Sequence, residues 1–190
     1  MALPVDPAER HREVAAGFTE RVRAVTDWDA PSPVPAWKTR DVVRHLVEWF
    51  PSFLEHGAGV TLAHGPDTDE DPVAAWQVHS DAVQELLDDP ATAEKVLDNR
   101  HIGQVPLPEA VDRFYTNDVF MHTWDLARAS GQGDTLDADK CAVMLAGMQP
   151  LDEVLRASGQ YGPRVPVPAD APVQDQLLGF IGRDPGWQAP

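Results

Sequence analysis

Asp118 and His122 stand four residues apart in Asn117–Gly131, NDVFMHTWDLARASG, a stretch that reads as one helix ending at Gly131. Residues four apart share a helix face, with β-carbons about 5–6 Å apart. A carboxylate and an imidazole so placed can hold one metal ion between them. Asp41 and His45 repeat the spacing in an earlier helix-like segment, DVVRHLVEWF. A zinc-type ion takes nitrogen and carboxylate ligands at about 2.0–2.2 Å, and three protein ligands leave a position open for water or substrate. His45, Asp118 and His122 meet that count. A single histidine on an apolar face is more often an inert core imidazole; two of them on separate apolar helices, with Asp118 one turn before the second, tip the balance toward a metal. Asp125, three residues after His122, and Asp41, four before His45, are rival carboxylates. Asp118 is the favoured ligand. Asp125 suits an acceptor that fixes a ring N–H or a guanidinium, and Asp41 suits the positive end of a helix dipole.

The remaining chemistry-bearing residues carry less. Of the seven histidines, 11, 45, 56, 64, 79, 101 and 122, only His45 and His122 read as lying mid-helix among apolar residues. Glu48 and Glu55 follow His45 and could work as acid or base, but surface glutamates are the commoner outcome. Trp37, Trp49 and Trp124 could line a pocket, although tryptophans at helical spacing usually fill a core. Cys141 reads as a buried thiol. There is no Gly-rich phosphate loop, nucleophile elbow or CxxC pair, so no catalytic or cofactor-binding residue is named.

The elements that must position these groups are helices. Asp6-Pro7-Ala8-Glu9 is a helix start with a capping box, followed by a stripe at Val14, Phe18, Val22 and Val25. Trp28–Trp37 holds three prolines and is a connection. Thr39 is expected to cap a second helix running past Pro51 to about His56. Asp71-Pro72 opens a third, ending near Asp89-Pro90. Residues 91–106 fit a short strand or an extended connection equally. Pro108 opens a fourth long helix through Leu126. Asp137 caps a fifth, with Val143, Leu145, Met148 and Leu151 as its stripe and Pro150 interrupting it. The expected fold is all-α, an antiparallel four-helix bundle with a short extra C-terminal helix and an extended tail. Residues 1–159 form the metal-binding bundle, and 160–190 a Pro-rich tail whose one short helix packs on it.

The net charge of −16 over 190 residues repels phosphate backbones and anionic lipid, which argues against nucleic-acid and membrane partners. No apolar run reaches the ~18 residues of a membrane span, and the N-terminus lacks an apolar signal region. One cysteine allows no internal disulfide. A cytoplasmic protein is expected. Apolar helix faces could pair two copies into a homodimer.

Three blocks of sequence carry a family resemblance. Trp28–Val47, W-D-x-P-S-P-x-x-x-W-x-x-x-D-V-V-x-H-L-V, resembles the N-terminal signature of the mycothiol-dependent maleylpyruvate isomerase family. His122–Gly131, HTWDLARASG, resembles its second signature. The ending YGPRVPVPADAPVQDQLLGFIGRDPGW is similar to an actinobacterial branch described as metal-binding family proteins. The resemblance implies a DinB-like four-helix bundle holding a divalent metal, often zinc. It implies ligands His45 from the second helix and Asp118 and His122 from a later one. The isomerase has Glu where this chain has Asp118, and an extra C-terminal domain where this chain has a short tail. The function so implied is a metal-dependent, mycothiol-using transferase or isomerase acting on a small electrophile. A non-catalytic metal-binding or small-ligand-binding module is the alternative.

Overall fold

The computed structural model describes residues 3–189. It is mostly helical, with one two-stranded sheet. Helix α1 (Pro7–Ala24) starts where Asp6 accepts the Glu9 N–H at 3.0 Å, with Pro7 at its first position. Its buried stripe is His11, Val14, Ala15, Phe18 and Val22. Helix α2 (Thr39–Ala58) runs through Pro51 without a break.

The start of α2 differs from expectation. Thr39 is the first residue inside the helix, and its hydroxyl donates to the Ala30 carbonyl at 3.0 Å. The Lys38 N–H goes instead to the Asp41 carboxylate at 2.8 Å. The preceding loop offers a carbonyl that Thr39 can reach, and Asp41, one turn in, takes over the cap. Helix α3 (Pro72–Asp88) starts with Asp71 accepting the Ala74 N–H.

Residues 91–106 resolve into a turn of 3-10 helix (Pro90–Glu94) and an antiparallel hairpin, β1 (Val96–Asn99) with β2 (Gly103–Pro106). Leu97 and Val105 face each other in register and are both buried. The expected fourth helix comes in three parts: α4 (Leu107–Ala110), a π-helical turn (Val111–Thr116) and α5 (Asn117–Ala129). Helix α5 ends in a Schellman turn. Gln132 N–H reaches the Ala127 carbonyl at 2.9 Å, Gly131 N–H reaches Arg128 at 3.4 Å, and Gly131 takes φ 67°.

Helix α6 (Ala138–Met148) is capped by Asp137, and Pro150 sits in a 3-10 turn before α7 (Asp152–Ala157). The expected stripe of this segment is corrected. Val143 and Leu151 are exposed, as is Val154. The buried residues of α6 are Lys140, Cys141, Met144 and Leu145, because this helix docks on α8 (Val173–Phe180) along one face only.

Helices α1 and α2 each pack against α3 and α5. The core fills the space between them with Phe18, Leu46, Phe50, Leu54, Trp76, Tyr115, Trp124 and Leu126, all fully buried. Helix α5 is buried on nearly every side, residues 119–127 without exception. No helix among the described residues is long and apolar enough to cross a membrane.

Candidate metal centre

Where α2 meets α5, His45, Asp118 and His122 each offer one ligand atom, and these atoms lie within 4.8 Å of one another. It is the one such cluster of three or more among the described residues. His45 Nε2 stands 3.0 Å from Asp118 Oδ2, and His122 Nε2 stands 3.5 Å from Asp118 Oδ1. Ligands at about 2.1 Å from a tetrahedral ion are about 3.4 Å from each other. The donor set and its spacing therefore fit a divalent ion. The side chains of His45, Asp118 and His122 are 31%, 18% and 6% exposed, so the site opens on the His45 side.

Each member is held by a second group. Trp49 donates its indole N–H to Asp118 Oδ2 at 3.0 Å. Asp125 Oδ2 lies 2.8 Å from His122 Nδ1, and Arg183 grips Asp125 with two parallel bonds, Nε to Oδ1 at 2.9 Å and Nη2 to Oδ2 at 3.0 Å. Asp125 thus sits between the His122 ring and a guanidinium, within hydrogen-bond distance of both. Burial opposes ionisation of Asp118, but His122, His45 and the Trp49 N–H outweigh it and hold the carboxyl below its ordinary range. Asp125 is likewise held low, Arg183 being the strongest influence against its burial.

Trp37 covers the two imidazoles, its ring centroid 5.2 Å from that of His45 and 5.8 Å from that of His122, nearly parallel to the latter. The residue before it, Ala36, has φ 67°. That is left-handed backbone costing an L-residue roughly 1 kcal/mol, so the chain is strained where it delivers the indole. Two hydrogen bonds, Ser32 N–H to Trp37 carbonyl at 2.9 Å and Trp37 N–H to Val34 carbonyl at 3.0 Å, hold the turn closed.

The other candidates fall away from this centre. Asp41 is spent on the Lys38 N–H and an ion pair with Arg44. Glu48 and Glu55 are exposed. Trp124 is in the core. Cys141 is buried, and burial pushes its thiol up to about 11. A cavity of about 140 Å³ between α2, α3 and their connection is lined by Glu48, His64, Asp67, Thr68 and His79, away from the triad.

Sequence reasoning missed His11 and His79, both buried. The signal was there. His11 continues the Val14–Phe18–Val22 stripe, and His79 lies between Trp76 and Val83 at helical spacing. Burial lowers them to about 4 and about 3, so both are neutral imidazoles. Trp49, one turn after His45 and named as a possible pocket residue, was not foreseen as a donor to Asp118, and the Arg183 clamp, which has no local pattern, was missed.

Residues 11–127, more than half of the chain, match the family model of the mycothiol maleylpyruvate isomerase N-terminal domain, and the chain belongs to that family. Two relatives, both described as uncharacterized proteins, come from Mycobacterium tuberculosis strains CDC 1551 and H37Rv. Each is 28% identical over 189 residues, covering 95% of this chain and 97% of the relative. No solved structure matches the chain. The matched family region contains His45, Asp118 and His122 and ends before the segment that supplies Arg183.

Proposed function

We propose that this chain is a DinB-like four-helix bundle that binds a divalent ion, zinc foremost, through His45, Asp118 and His122. The ion would serve a low-molecular-weight thiol, mycothiol by family membership, in S-transfer to, or isomerisation of, a small electrophile. In this reading residues 1–159 are the metal-binding unit and 160–190 a tail docked on it, in a reducing, cytoplasmic setting.

The observation that carries the reading is the position of the His122 ring. An ionised Asp125, paired with Arg183, accepts the hydrogen bond of a His122 Nδ1–H. The Nε2 lone pair then faces an ionised Asp118 oxygen at 3.5 Å. With the ring neutral, two lone pairs face each other at a half-buried point, and a divalent ion between them would satisfy both. His45 Nε2, 3.0 Å from the other Asp118 oxygen, supplies the third ligand atom. A bound divalent ion with a free position would stabilise a coordinating thiol as the thiolate nucleophile. The protein's own contribution is to hold the three ligands, shield them with Trp37 and leave the His45 side open.

Metal analysis of protein purified without a histidine tag and without added zinc tests the first half. About one equivalent is expected, lost in His122→Ala. Cobalt substitution followed by visible spectra on mycothiol addition tests the second. A changed ligand field supports the thiol reading; stoichiometric metal with no spectral response leaves a non-catalytic metal-binding module.

A further inference from the structure

The C-terminal segment lies outside the matched family region, yet its Arg183 reaches Asp125, the residue that holds the His122 ring. How it gets there is specific. Helix α8 ends in a Schellman turn: Arg183 N–H bonds the Leu178 carbonyl at 2.8 Å, Gly182 N–H bonds Gly179 at 3.2 Å, and Gly182 takes φ 87°. That turn sends the Arg183 side chain into the protein, where it is 14% exposed against an Asp125 side chain that is 1% exposed. The segment is anchored on both sides. Arg128 donates to the Pro185 carbonyl at 2.8 Å, Arg156 donates to the Phe180 and Gly162 carbonyls, and Leu177 and Leu178 are fully buried.

We infer that Arg183 is a positioning residue for the metal site: through its two-pronged bond to Asp125 it locks His122 in the Nδ1–H tautomer, with Nε2 directed at the metal position. The inference rests on the metal reading above. Without the guanidinium, Asp125 is a buried carboxylate with one partner. It would then be free to rotate off Nδ1, and the His122 ring would lose the fixed acceptor that selects its tautomer. Arginine is required because its planar fork matches both carboxylate oxygens at once; the single ammonium of lysine cannot. The aliphatic stem also packs, so a merely structural role has to be separated from a positioning one.

Two measurements make that separation. The first is zinc affinity by competition with a chromophoric chelator, for wild type, Arg183→Met, Arg183→Lys and Gly182→Ala. Partners one shell out from the metal are typically worth 10–100-fold in affinity. Arg183→Met should weaken zinc by that range, Arg183→Lys by less, and Gly182→Ala, which leaves the guanidinium intact but strains its turn, by several-fold. A fall in melting temperature with unchanged zinc affinity in all three overturns the inference. The second measurement needs no metal. Nitrogen-15 shifts of the His122 ring at fixed neutral pH should show the Nδ1–H tautomer in metal-free wild type, and a mixture in Arg183→Met. An Nε2–H tautomer in the wild type overturns it. If wild type binds no divalent ion, the metal reading fails, and the tautomer comparison alone decides the role of Arg183.

Discussion

Trp49 and Asp118 share a single hydrogen bond, indole N–H to Oδ2 at 3.0 Å, on the same oxygen that His45 approaches at 3.0 Å. Trp49 also packs edge-on against Phe50 and Phe53. It therefore joins the aromatic core to the carboxylate that both histidines face. The bond fixes which oxygen turns to His45 and which to His122.

Trp49→Phe keeps the aromatic packing and deletes the donor. A hydrogen bond to a charged group contributes about 1.5–3 kcal/mol, and the metal-free protein should lose a stability of that order. Zinc should bind several-fold more weakly, because Asp118 can then rotate away from the ligand geometry. Urea midpoints of the metal-free proteins and chelator competition check the two effects. If both are unchanged, the Trp49 bond does not support the site.

His11 and His79 predict a pH dependence of stability. Both are buried and neutral in the folded chain, lowered from an ordinary 6.5 to about 4 and about 3, chiefly by burial. The unfolded chain therefore binds more protons than the folded one below pH 6.5, and stability rises with pH across that window. The contribution is fully present above 6.5 and is lost as the pH falls, until each folded-state value is passed. A tenfold difference in proton affinity between the two states is worth about 1.4 kcal/mol, so His11 alone accounts for a loss on the order of 3 kcal/mol between pH 6.5 and 4. His79→Asn should flatten the slope of urea midpoint against pH in metal-free protein. An unaltered slope would mean that His79 is not buried as an uncharged ring.

What the residues disclosed in advance follows from which forces are local. Helix starts at Asp6-Pro7, Asp71-Pro72 and Asp137 are set by a carboxylate reaching an N–H three residues on, and all three form as expected. The Asp118–His122 pair is a consequence of helix pitch, and the two residues do face each other. The π-helical turn at Val111–Thr116 has no composition of its own; within it Tyr115 stacks on Phe50 from another helix, ring centroids 4.0 Å apart. Arg183 meets Asp125 across 58 residues, and nothing at either position announces the other. The exposure of Val143 reflects how few neighbours α6 has, a property of the assembled chain.

Two glycines inside helices make opposite predictions, and the contrast tests how the C-terminal segment docks. A β-carbon at Gly17 of α1 would meet nothing nearer than the Arg21 side chain at 3.8 Å. Gly17→Ala should stabilise the protein by up to about 1 kcal/mol, from helix propensity alone. A β-carbon at Gly179 of α8 would lie 2.6 Å from the Val165 carbonyl oxygen and 2.9 Å from Val167 Cγ1. There the Pro-rich stretch crosses the helix, and the Val165 N–H bonds the Gly179 carbonyl at 2.9 Å. A backbone carbonyl cannot step aside without moving its segment, so Gly179→Ala should cost about 1–3 kcal/mol as an overpacked contact, against a propensity gain that favours it. Because α8 ends in the turn that aims Arg183, the same variant should also weaken zinc binding, whereas Gly17→Ala should leave it alone. Urea midpoints and chelator competition on the two variants, side by side, read out both effects. A Gly179→Ala protein as stable as Gly17→Ala would mean that the Pro-rich stretch does not press on α8, and that the path from the tail to His122 is looser than the Arg183–Asp125 geometry requires.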